Sequence, residues 1–115
     1  MRILIVGPCA SGKTTLERGL CQMGYDAHSA AQEHSYVPTM WCRVHKPDVL
    51  IYLDANLATV RERSGSHWEP RELERLKDRL SHARAHCDLY VCTDDLTEEE
   101  VLESAWRFLE ERRSI

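Results

Sequence analysis

The chain is 115 residues long, and its 15 Lys and Arg against 19 Asp and Glu leave a formal net charge of −4. That length predicts a single domain, 1–115, and 43% apolar with 30% charged residues fit a packed core under a solvated surface rather than a disordered acidic tail. No polybasic tract supports nucleic-acid binding, and the longest apolar stretches, such as Ile3 to Val6 and Val49 to Leu53, fall far short of the roughly 20 residues that cross a bilayer.

Arg2 to Val6 is apolar on both faces and reads as a buried strand. It stops at Gly7 and runs into a structured motif, so no signal peptide is expected. From Lys13 to Met23 the spacing of Leu16, Leu20 and Met23 is helical, and Gly24 follows where helices commonly end. Tyr25 to Ala31 is a weaker strand candidate leading into Gln32, Glu33 and His34. Pro38 can open a short helix through Trp41 and Val44 that Pro47 closes.

Asp48 to Leu53 is the second apolar strand and stops at Asp54, after which Asn56 or Asp54 can cap a helix running to about Arg63. Ser64 to Pro70 is the most loop-like segment, and Pro70 fits the first turn of a helix carrying Leu73, Leu76, Leu80, Ala83 and Cys87 on one stripe. That helix, predicted over 71–84, also carries Arg71, Arg75, Arg79 and Arg84. Glu72, Glu74 and Asp78 interleave with them, which reads as a solvated face, although Arg79 or Arg84 is in range of a phosphate. Asp88 to Thr93 is a last strand followed by Asp94 and Asp95, which read as caps or turn residues. Thr97 to Glu100 is a capping box before the apolar face of Val101, Ala105, Phe108 and Leu109. Strands and helices alternate, so the expected class is α/β: a three-layer sandwich with about four parallel strands and helices on both faces.

The five cysteines, Cys9, Cys21, Cys42, Cys87 and Cys92, include no C-x-x-C pair and fit free thiols in a reducing cytoplasm. Cys42 with His45 lacks the second ligand pair that structural zinc needs.

Gly7-Pro-Cys-Ala-Ser-Gly-Lys-Thr14 matches G-x-x-x-x-G-K-S/T, the Walker A pattern, and Thr15 extends it. A predicted strand precedes the motif and a predicted helix follows it. Gly7 and Gly12 free the backbone so that N–H groups of Gly7, Pro8, Cys9, Ala10, Ser11 and Gly12's loop, Pro8 excepted, can approach phosphate oxygens. The helix directs its positive end to the same place. Lys13 has the reach for the β and γ phosphates, and the Thr14 hydroxyl can hold magnesium. Cys9 contributes chiefly its backbone, although a thiol beside a helix N-terminus is also open to activation. Open parallel sheets bind ligands beyond the carboxyl ends of their strands, where Glu33, His34 and Asp54 also fall.

On these residues the chain resembles the P-loop kinase group, which includes adenylate, shikimate and gluconate kinase-like enzymes. The resemblance extends through Val49-Leu-Ile-Tyr-Leu-Asp54 and its following helix, and through Asp88-Leu-Tyr-Val-Cys-Thr-Asp94 into the last helix. It implies ATP and Mg2+ as cofactors, Arg61 and Arg63 as lid residues over the transferring phosphates, Ser64 to Pro70 as the lid tip, and Thr93 to Leu96 beside the base. The group usually carries a further acid-bearing strand and a substrate-binding insertion, but only Ser35 to Pro47 fills that interval here. The catalytic or metal-organising acid then falls to Glu33, ahead of Asp54, whose place after an apolar run also fits a metal ligand. The expected activity is transfer of phosphoryl from Mg-ATP to an unidentified small-molecule acceptor. The shortened middle keeps a second reading open, a nucleotide-binding switch or weak NTPase. The absence of an N-K-x-D motif speaks against an ordinary GTPase.

Overall fold

The computed structural model describes residues 1–113. It is an α/β fold built on a four-stranded, all-parallel sheet of β1 (Arg2–Val6), β2 (Asp26–Ser29), β3 (Val49–Asp54) and β4 (Leu89–Cys92), in the order β2-β1-β3-β4. The strands that read as apolar on both faces, β1 and β3, are the central pair, in register Ile5 to Ile51.

Alternation along the strands divides the core in two. Ile3, Ile5, Val49, Ile51 and Leu53 pack on one face against Leu16 and Leu20 of α1 (Lys13–Gln22) and Val101, Ala105 and Leu109 of α6 (Glu98–Arg113). Leu4, Val6, Leu50 and Tyr52 face the other way, onto Trp41 of α2 (Met40–Val44) and onto Leu80 and Ala83. Helices therefore cover both faces. The first connection leaves β1 toward β2 and the later ones return across the sheet, and right-handed crossovers made in opposite directions lie on opposite faces. None of the described helices is long and apolar enough to cross a membrane.

The caps legible in the sequence form as expected. Thr97 Oγ1 accepts from Glu100 N at 3.1 Å while Glu100 Oε1 accepts from Thr97 N at 3.0 Å. Asn56, rather than Asp54, caps α3 (Leu57–Ser64), its Oδ1 accepting from Thr59 N at 2.9 Å. Asn56→Ala removes that acceptor, and urea denaturation should register a loss of about 1 kcal/mol. A variant as stable as the parent would show that the cap contributes nothing here.

Two elements differ from expectation. The helix predicted over 71–84 is two helices, α4 (Pro70–Arg79) and α5 (Ser81–His86), joined at Leu80. Ser81 Oγ donates to Asp78 O at 2.8 Å, a side-chain bond that competes with helix continuation, and the bend keeps Leu80 fully buried. The helix expected to open at Pro38 starts later, at Met40, because the buried Gln32 Oε1 accepts from Trp41 N at 2.9 Å and fixes where that turn begins.

Candidate functional site

Connections change direction between β1 and β3, and the crevice beyond the carboxyl ends of those strands is where open parallel sheets take ligands. The loop from Gly7 to Gly12 occupies that point and opens directly into α1. Its packing against β3 is close: a Cβ built on Gly7 would lie 2.2 Å from Leu53 O. Ala10 and Gly12 take positive φ, 62° and 102°, which winds the loop back on itself. Lys13, the first residue of α1, folds back to donate to Gly7 O at 2.7 Å.

The same ammonium pairs with Glu33 Oε2, although Glu33 lies on the short 3-10 turn Gln32–His34 after β2. Glu33 is 2% exposed, and it is held from both sides. Gln32 donates from Nε2 to Val37 O at 3.0 Å and to Arg79 O at 3.4 Å, and Arg79 Nη1 donates to Glu33 O at 3.3 Å. Helix α4 thus fixes the acid turn against the loop. Cys9 Sγ lies 3.9 Å from Glu33 Oε2 and 3.5 Å from His34 Nε2. Burial first, and then the Glu33 carboxylate, push the Cys9 pKa up, against the opposing charge of Lys13.

Among the described residues, the buried side-chain polar atoms that lack a hydrogen-bond partner are Ser11 Oγ and Glu33 Oε1. One belongs to the loop and the other to the acid that faces it. Unpaired buried polar atoms cost stability, and both of these lie where the loop meets the acid turn. Beside the loop lies a cavity of about 250 Å3 lined by Gly12, Thr15, Arg63, Thr93, Leu96 and Val101, among others. Thr14 stands exposed at the start of α1.

The two arginines of α3 part company. Arg63 Nη1 donates to Ala10 O at 3.1 Å and to Thr93 Oγ1 at 2.9 Å, and its Nη2 donates to Thr93 O at 2.5 Å, which sets it at the edge of the cavity. Arg61 Nε instead donates to Trp68 O at 2.7 Å. Arg61 thereby ties down the Ser64 to Pro70 segment, and Trp68 packs against the cluster of Ala55, Val60 and Leu73. Thr93 is a junction that the sequence identified only by its neighbourhood. Its hydroxyl lies 3.0 Å from Ser11 O and 3.1 Å from Asp54 O, joining the loop to β3 and β4.

Asp54 is engaged away from the loop. Its Oδ2 accepts from Tyr90 Oη at 2.5 Å, and its Oδ1 from Ala55 N at 2.9 Å and from Lys77 Nζ at 3.2 Å. Burial, and then the bond to Asp54, push the Tyr90 phenol up to about 12, so it stays a donor across the physiological range. Asp94 is structural: burial opposes its ionisation, but hydrogen bonds led by the one from Asn56 N hold its carboxyl below the usual range.

No protein-family model matches the chain, and no curated protein matches it.

Proposed function

We propose that the chain is a minimal P-loop protein of the kinase group, with a shortened substrate region, and that it uses Mg-ATP to phosphorylate a small-molecule acceptor in the cytoplasm. The observation that carries this reading is the loop itself. A G-x-x-x-x-G-K-T segment wound by positive φ at Ala10 and Gly12 opens α1 at Lys13, and its lysine is held by an acid from the next strand's end. The residues present fit a polyphosphate. The positive end of α1 opens at the loop, the unpartnered Ser11 Oγ lies within it, and the Lys13 ammonium, held on Gly7 O and Glu33, is the cation that would exchange onto phosphate.

In this reading Cys9 to Thr15 would hold the phosphates through loop N–H groups and the Lys13 ammonium, and the Thr14 hydroxyl would hold Mg2+. The bound nucleotide supplies the transferable phosphoryl group. Arg63 offers its guanidinium at the cavity edge, where positive charge favours the transition state over the ground state. Glu33, released from Lys13, accepts the proton of an acceptor hydroxyl, and Arg79 together with Gln32 keeps its turn in place. Asp54 is the weaker candidate for metal or base because both of its oxygens already have donors. Arg61 serves to anchor the Ser64 to Pro70 turn rather than to meet phosphate.

The Lys13–Glu33 pair also favours a second reading, a nucleotide-dependent switch or weak NTPase, since phosphate binding must break it. Purified protein with labelled Mg-ATP and a broad metabolite panel separates the two. Label transferred to an acceptor supports the kinase. Binding with no transfer, and different partner or conformational behaviour in ATP and ADP, supports the switch. Failure to bind any nucleoside triphosphate removes both.

A further inference from the structure

The geometry points to a thiophilic divalent-cation site at Cys9, Glu33 and His34, which we propose binds Zn2+ in the nucleotide-free protein. One sulfur, one imidazole nitrogen and one carboxylate oxygen from these residues all lie within 4.8 Å of one another. In a tetrahedral zinc site, bonds of about 2.3 Å to sulfur and about 2.0 Å to nitrogen put those two ligand atoms about 3.5 Å apart. Cys9 Sγ and His34 Nε2 are 3.5 Å apart, and Cys9 Sγ is 3.9 Å from Glu33 Oε2.

A second observation is independent of that spacing. Glu33 is almost wholly buried, yet its Oε1 has no hydrogen-bond partner, so the carboxylate has unused ligating capacity. His34 is exposed and Cys9 half-buried, which gives the ion a route from solvent.

Binding is an exchange. The Cys9 thiol loses its proton to solvent as the sulfur–zinc bond forms, and the ion takes the place of the Lys13 ammonium on Glu33. Thiolate and carboxylate together bring two negative charges, which match the two positive charges of the ion, and the displaced Lys13 ammonium turns to solvent. The three protein ligands leave a fourth position open to water or an anion.

The test uses the intact chain, freshly reduced, with Co2+ and Zn2+ alone and no nucleotide, so that it stands apart from the nucleotide-binding reading. One Co2+ per chain should give a thiolate-to-cobalt charge-transfer band that Zn2+ abolishes. Cys9→Ser should remove the band, and both Cys9→Ser and His34→Ala should weaken Zn2+ binding on the order of 100-fold. Cys21→Ser and Cys92→Ser should leave it intact. Circular dichroism of each variant checks folding, and His34, being exposed, gives a variant that loses a ligand without disturbing the core. Absence of the band at saturating Co2+, its survival in Cys9→Ser, unchanged Zn2+ affinity in His34→Ala, or its loss from Cys92→Ser would each overturn the assignment.

Discussion

Gly7→Ala should destabilise the protein by about 3 kcal/mol or more, enough to lower its urea midpoint sharply or to prevent recovery of folded material. The added methyl would sit 2.2 Å from Leu53 O and 2.8 Å from Ser11 Oγ. Leu53 is fully buried near the end of the central strand β3, so its carbonyl cannot retreat without disturbing the pairing with β4. Gly12→Ala provides the contrast. Nothing lies within 4 Å of its would-be Cβ, but its φ of 102° is strained for any other residue, so its cost should be smaller, about 1 to 2 kcal/mol. If Gly7→Ala proves no more damaging than Gly12→Ala, the close seating of the loop on β3 is not what holds it.

The difference between these glycines marks the limit of what the sequence discloses. Spacing alone identified both as members of one motif, because the pattern records which residues a phosphate-binding turn needs. It does not record that one glycine is pressed against a neighbouring strand and the other is bent in open space. Strand and helix positions were legible for a related reason: Gly24, Asn56, Pro70 and Thr97 are local signals that act within a turn of where they stand.

Residues whose roles depend on distant partners were less legible. Arg61 and Arg63 look equivalent in sequence, yet positions two apart on a helix point in different directions. Arg63 meets Ala10 and Thr93, whereas Arg61 meets Trp68. Glu33 and Asp54 were both acids at strand ends. Asp54 shares the parity of Tyr52 on β3 and so turns to the face where Tyr90 and Lys77 wait, while Glu33 leaves the sheet on a turn that Gln32 and Arg79 hold against the loop. The Leu80 bend was hidden for the same reason, since the apolar stripe continues unbroken through it.

Lys13 joins the fold to the proposed chemistry, and its two roles can be measured separately. Lys13→Ala should weaken ATP binding on the order of 100-fold, the scale of a lost charge-assisted contact to phosphate. It should also destabilise the free protein by about 3 kcal/mol, because Glu33 is left charged, buried and without its cation. The double variant Lys13→Ala with Glu33→Gln removes that stranded charge. Its stability should recover most of the loss, while its ATP affinity stays low, since the glutamine restores no positive charge. Urea denaturation and calorimetric titration of the parent, Lys13→Ala, Glu33→Gln and the double variant read the two effects independently. Recovery of ATP affinity along with stability would mean that Lys13 acts on nucleotide only by keeping the loop folded. ATP affinity unchanged in Lys13→Ala would remove the basis for a phosphate site at this loop altogether. The expected outcome, stability rescued and binding not, requires one ammonium that serves Glu33 in the free protein and phosphate in the bound one.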